Sequence, residues 1–174
     1  MYSQQEKETK IETKIKINED STIDETVKTL FSTDDHPQKI KKNLLKICYH
    51  EVLNRFCFVI RDNHIVLDYR YFKFIANKEN YAVIIQTVVG IMRGCLEKHE
   101  LMIVHLNMKS LTLVDIDRHY SFIRDISEIM QRTFPDKLRK CFVYNAPFLF
   151  SQLYNTISMF IDKTTQKKIQ LVSS

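Results

Sequence analysis

Three short apolar runs, separated by helix-length segments, constrain this chain most. Leu101-Met102-Ile103-Val104-His105-Leu106 is apolar but for one histidine, and Cys141-Phe142-Val143-Tyr144 and residues 169–172 are the other two. Between the first pair, Tyr120, Ile123, Ile126, Met130 and Phe134 trace a helical stripe, and residues 148–161 form a helix-length apolar segment between the second pair. Uninterrupted apolar runs suit strands that are covered on both faces. Strands joined by helical crossovers run parallel. The expected fold class is therefore α/β, with a mostly parallel central sheet. Upstream, residues 56–60 and 65–69 flank the turn signal Asp62-Asn63 and read as a hairpin that extends or flanks the sheet.

The remaining segments read in order as follows. Residues 1–20 are polar and charged, and are expected to form a disordered tail. Residues 21–54 are expected to be a short helical segment. Ser21 and Thr22 stand at capping-box spacing from Asp24 and Glu25, ahead of a stripe of Ile23, Val27, Leu30 and Phe31. A second stripe of Ile40, Leu44, Ile47, Cys48 and Val52 follows a start at Asp34, Asp35 and Pro37. A long helix is expected over residues 81–98, capped by Asn77, with Gly90 and Gly94 leaving room for close packing against a sheet. Residues 107–115 read as a loop that ends in a cap at Asp115 or Asp117.

Length and chemistry narrow the function classes. With 174 residues, 44% of them hydrophobic, the chain can bury the core of one domain. It shows no apolar run of transmembrane length and no signal-peptide core at the N-terminus, so a cytoplasmic protein is expected. Cys48, Cys57, Cys95 and Cys141 each sit in an apolar run and read as buried free thiols. Nucleophile elbow, phosphate loop, dinucleotide fingerprint and paired metal-binding histidines are all missing. Two glycines leave little scope for a glycine-rich phosphate cradle. No enzyme activity, cofactor or metal is expected, and His105 reads as a satisfied core or pocket-lining residue.

Charge is unevenly placed. Residues 1–26 hold four lysines against seven acids, whereas residues 132–168 hold seven basic side chains against Asp136 and Asp162. Such a basic end suits a solvated face or an anionic partner. Few stacking aromatics accompany it, so nucleic acid is not expected. On the 148–161 helix, Phe150, Leu153, Tyr154, Ile157, Phe160 and Ile161 cover one face, while Leu149 and Met159 add apolar surface elsewhere. A helix apolar over so much of its circumference is either buried in a core or meets a ligand or membrane.

The wording of residues 134–172 adds a resemblance. Phe134-Pro135-Asp136-Lys137-Leu138, then Asn145-Ala146-Pro147-Phe148, then Phe160-Ile161-Asp162-x-x-Thr165-x-x-Lys168-Ile169 resembles the CRAL-TRIO lipid-binding family, in particular its phosphatidylinositol-transfer members. The resemblance implies a CRAL-TRIO-like domain over residues 55–174. It also implies a lipid pocket between the sheet and the helix after Asn-Ala-Pro, which acts as a gate. Phe148, Phe150, Leu153, Tyr154, Ile157, Phe160 and Ile161 would be the gate and pocket lining. Asp136, Thr165 and Lys168 would hold the headgroup, with Lys168 neutralising a phosphodiester, Thr165 hydrogen-bonding it and Asp136 orienting the lysine.

The implied function is non-enzymatic binding of a phospholipid or other hydrophobic small molecule, with transfer between membranes and transient membrane contact aided by Lys163 and Lys167. His105-Leu106-Asn107-Met108 stands where the family often has D-x-x-G, so the following loop is expected to run differently. The alternative is a protein-interaction module of the same fold, with a collapsed or incomplete pocket and a protein partner.

Overall fold

The computed structural model describes residues 25–33, 35–42, 46, 48–146 and 148–172. The expected tail at residues 1–20, the capping signals at residues 21–24, and Leu44 and Ile47 lie outside the described residues. The chain divides into two compact units, Met1–Asp34 and Asp35–Ser174. In the first, residues 25–32 form helix α1, in which Val27 and Phe31 are buried and the Thr29 hydroxyl donates to the Glu25 carbonyl.

The second unit begins with α2 (Asp35–Lys42) and α3 (Tyr49–Phe56), two helices where the sequence suggested one stripe. Phe56 closes α3, and strand β1 (Cys57–Arg61) starts one residue later than expected. The hairpin partner β2 (His64–Asp68) follows the turn at Asp62, whose φ is 44°. Further along come α4 (Tyr69–Ile75), α5 (Tyr81–Leu96), β3 (Met102–Asn107), α6 (Leu113–Arg118), α7 (Tyr120–Thr133) and β4 (Leu138–Tyr144). The unit ends with α8 (Phe150–Ser158), α9 (Lys163–Gln166) and β5 (Ile169–Leu171).

The five strands form one sheet in the order β1-β2-β3-β4-β5. The β1 strand pairs antiparallel with β2, and every later pair is parallel. The α/β class and the hairpin extending the sheet are both as the sequence indicates. The central strands β2 and β3 are buried almost throughout, as their continuous apolar runs require. At the edges, β1 alternates and β5 has only three residues, a short edge that limits unwanted pairing.

The sheet has two chemically different faces. One carries Ile65, Leu67, Met102, Val104 and Val143, and these belong to the main hydrophobic core with α3, α5, α7 and α8. Side chains alternate along strands, so His64, Asp68, His105, Asn107 and Tyr144 project to the other face. There His105 is satisfied as expected: its Nε2 lies 2.9 Å from His64 Nδ1, and its Nδ1 lies 2.8 Å from the Tyr144 hydroxyl. Beside it, Asp68 takes hydrogen bonds from Arg70 and, at 3.1 Å, from Asn107 Nδ2.

Several local expectations are corrected. Tyr69 begins a helix and does not extend β2, because the Asp68 carboxylate accepts from the Arg70 amide as an N-cap. The cap of α5 is Asn80, whereas the Asn77 side chain accepts from the amides of Glu79 and Asn80 within the preceding turn. The loop after β3 contains α6, which starts at a Thr112/Asp115 capping box and not at Asp115 or Asp117. Cys57 and Cys95 are buried free thiols, but Cys48 is exposed and Cys141 is only half-buried.

Gly90 and Gly94 are not points of close packing: an added Cβ at either would meet nothing within 4 Å. Both lie in the helix interior with negative φ. Gly90→Ala should therefore raise stability by about 0.5–1 kcal/mol through helix propensity and a less flexible unfolded chain. A urea midpoint that falls would contradict the open environment.

Candidate functional site

The sequence motifs have local structural causes. Phe134 to Lys137 form a turn closed by the Lys137 amide donating to the Phe134 carbonyl at 3.2 Å. Pro135 fits its second position and Asp136, with φ 58°, its third, as a type II turn demands. Asn145 also adopts a positive φ, 59°, where the chain leaves β4, and its Nδ2 donates to Asn107 Oδ1 at 2.9 Å. Asparagine tolerates that conformation, so the first residue of Asn-Ala-Pro both turns the chain and ties it to β3.

The D-x-x-T pair is a helix cap. The Asp162 carboxylate accepts from the Thr165 amide at 2.7 Å and from the Thr165 hydroxyl at 3.0 Å. Those bonds, the amide's foremost, hold the Asp162 carboxyl below its usual range. Gln166 Nε2 donates at 2.9 Å to the carbonyls of Ser158 and Ile161, tying down the end of α8.

These devices frame a cavity of about 250 Å³ between the core face of the sheet, α7 and α8. Its wall is largely aliphatic and aromatic, with Val104, Leu106, Phe122 and Met130 among the lining residues. One face of α8 and the turn after it, spaced four residues apart, contributes Leu153, Ile157 and Ile161. Leu153 is buried, and the other two are half-buried. The α8 helix is shorter than the 148–161 segment inferred from sequence.

The expected site residues divide on this geometry. Asp136 and Thr165 line the cavity together with Leu153, Ile157 and Ile161, whereas Lys168 is half-buried outside the lining. Its backbone carbonyl accepts from the Cys141 amide at 2.9 Å, and its neighbour Ile169 does line the cavity. Among the described residues no Asp136–Lys168 ion pair forms. Phe148 is 94% exposed. Phe150 and Tyr154 pack on each other with ring centroids 5.7 Å apart, and Phe160 meets Tyr120 at 6.2 Å. These four aromatics lie outside the cavity lining; Phe150 shares the helical face of Leu153 and Ile157 but packs beyond the end of the cavity's lining.

Sequence reasoning missed the polar residues at the other end of the cavity. Tyr69, Asp115 and His119 line it there. His119 Nδ1 lies 2.6 Å from the Tyr81 hydroxyl. Burial, with Arg118 adding to it, depresses the His119 pKa and so favours the neutral ring, although the Asp115 charge pulls the other way. Burial also opposes ionisation of Asp115, but hydrogen bonds from Thr112, helped by the nearby Tyr69 hydroxyl and the Arg118 charge, outweigh it and hold this carboxyl below its usual range. Asp115 and His119 stand four apart at the end of α6, but Tyr69 is far from both in sequence, so no spacing rule could have joined the three. A further surprise is Cys141 in the cavity wall, its thiol pushed up to about 12 by burial.

The sheet order, the parallel strands and an apolar cavity under the helix after Asn-Ala-Pro define a class. The chain belongs to the CRAL/TRIO domain family, which matches residues 41–174. Members of that family are known for lipid binding and transfer. Among curated relatives, the Sec14 cytosolic factor of Schizosaccharomyces pombe is 38% identical over 69 residues, which are 40% of this chain and 24% of that protein. The SEC14 cytosolic factor of Yarrowia lipolytica is 35% identical over 69 residues, 40% of this chain and 14% of the relative. The crystal structure of Sfh5 superposes with a TM-score of 0.60 at 18% identity, covering 72% of this chain and 50% of that one, and so supports the fold. Each match thus spans half or less of the relative's own length. Among the described residues, no helix is long and apolar enough to cross a membrane.

Proposed function

We propose that this chain binds a phospholipid or another hydrophobic small molecule without catalysing a reaction, and carries it between membranes on their cytoplasmic side. The observation that carries this reading is the apolar cavity closed by Leu153, Ile157 and Ile161. A diacyl lipid with about 30 methylenes costs on the order of 24 kcal/mol to expose to water, at ~0.8 kcal/mol each. A carrier must therefore enclose the chains. At about 250 Å³ the cavity is smaller than the ~300–1,000 Å³ of common ligand pockets. A two-chain guest therefore requires α8 to swing outward as a gate. At a bilayer, the apolar side chains so exposed would meet lipid instead of water. Phe148 and Met159 already face outward, and Lys163 and Lys167 are exposed beside them in sequence.

In this reading the headgroup sits at the Asp136 and Thr165 end, and Lys168, one turn after Thr165, reaches its phosphodiester. The Thr165 hydroxyl donates to Asp162, and its lone pairs remain able to accept. Uptake of a fluorescent phosphatidylinositol from vesicles tests the proposal. Wild-type protein should take it up, and Lys168→Ala should weaken it about tenfold, the loss of one charge-assisted contact at ~1.5 kcal/mol. A fluorescent diacylglycerol, which lacks the phosphate, should be unaffected by that substitution. Absent uptake by the wild type would instead favour a protein-interaction module.

A further inference from the structure

The Tyr69 hydroxyl is the clue. Tyr69 is 6% exposed, lines the cavity, and its hydroxyl is buried with no hydrogen-bond partner. A buried donor left unpaired is costly, and native structures rarely keep one without a reason. Its neighbour on the wall is Asp115, whose carboxylate approaches closely enough to raise the phenol's pKa, beyond what burial does, through its charge and a marginal hydrogen bond, but the pair does not reach the geometry of a well-formed one. Asp115 Oδ2 is taken by the Thr112 amide and hydroxyl, at 3.0 and 2.9 Å. Its Oδ1 has only a 3.5 Å contact with the largely exposed Arg118, so it retains capacity to accept.

The position in the fold matters as much. Tyr69 follows β2, and Asp115 and His119 follow β3, so all three lie past the C-terminal ends of parallel strands. Asp136 precedes β4 and Thr165 precedes β5, at the N-terminal ends. The cavity therefore has polar groups at both ends of the strands and an apolar body between.

Resting on the lipid-binding reading above, we propose that Tyr69 and Asp115 form a second polar subsite, which recognises a neutral hydroxyl on an otherwise apolar ligand. An alcohol donates one hydrogen bond and accepts another. It can donate to Asp115 Oδ1 and accept from the Tyr69 hydroxyl, replacing their marginal contact with two well-formed hydrogen bonds. A carboxylate or phosphate at the same place could accept from Tyr69 but would face the Asp115 charge, which the largely exposed Arg118 offsets only in part. The small cavity favours a single-chain or compact guest over a diacyl one in this mode.

Displacement of the fluorescent hydrocarbon diphenylhexatriene tests the subsite, with dodecan-1-ol, its methyl ether and dodecanoate as competitors. Wild-type protein should bind the alcohol about tenfold more tightly than the ether or the carboxylate. Tyr69→Phe removes a hydroxyl that makes no well-formed hydrogen bond in the empty protein, so folding should survive while the alcohol's advantage over the ether disappears. Asp115→Asn keeps a capping acceptor, drops the charge, and should selectively strengthen dodecanoate. Equal competition by alcohol and ether on the wild type, or a preference that outlives Tyr69→Phe, overturns the subsite and leaves the lipid cavity standing. If neither diphenylhexatriene nor any competitor binds, the subsite and the lipid-binding reading fail together.

Discussion

Arg70→Met should destabilise the protein by about 3–5 kcal/mol, because it strands a buried carboxylate. Arg70 and Asp68 have side chains only 5% and 2% exposed, and the guanidinium Nη2 sits 2.8 Å from Asp68 Oδ2. Arg70 Nε adds a 3.1 Å bond to Oδ1, and Asn107 Nδ2 donates to the same oxygen. Asn107 in turn accepts from Asn145, so the network reaches the turn that launches α8. Methionine has a comparable length but no donor. The loss would be a large share of the roughly 5–15 kcal/mol that holds an ordinary domain together. It should appear as a marked fall in the urea midpoint. Adding Asp68→Asn should restore much of it, since removing both charges relieves the uncompensated one. A single variant that costs under about 1 kcal/mol would mean the pair is solvated.

Ile157→Glu should cut lipid uptake at least tenfold. Ile157 lies on the cavity face of α8 between Leu153 and Ile161. A carboxylate there must either face acyl chains or turn the helix, and burying it unpaired is far more costly than losing one apolar contact. Asn155→Glu provides the control, because Asn155 is exposed on the same helix. The pair is read by fluorescent-lipid uptake, with circular dichroism confirming that α8 still forms. Equal uptake by both variants would place the guest somewhere other than under α8.

Much of the architecture was legible because its signals are local. Continuous apolar runs mark β2, β3 and β4, and turn residues mark the hairpin. The motif words mark positions where backbone geometry demands a residue type, as at Asp136 and Asn145. Three helices escaped, the four-residue α9 among them. In α4, Tyr69, Arg70, Tyr71 and Phe72 are all buried, so no polar face reveals the helical period and the aromatic content suggests a strand. In α6, Thr112 and Asp115 stand at capping-box spacing, a usable signal that was read three residues too late.

The candidate site was only half legible. Leu153, Ile157 and Ile161 follow helical spacing and were within reach, but nothing in the sequence separated them from Phe150, Tyr154 and Phe160. Only the docked helix shows which face meets the cavity. Asp68 and Arg70 are two residues apart, a spacing that does not pair within a helix. They meet because Asp68 ends a strand while Arg70 begins a helix. One turn of α6 brings Asp115 and His119 together, and the parallel pairing of β2 and β3 brings Tyr69 to them.

Native mass spectrometry of gently purified protein tests the central claim most directly. Protein isolated from a lipid-containing host should carry a noncovalent adduct of lipid mass that dissociates on collisional activation, and Ile157→Glu should lose it. Wild-type protein found only as the bare chain, and equally bare after incubation with phospholipid vesicles, would contradict the account.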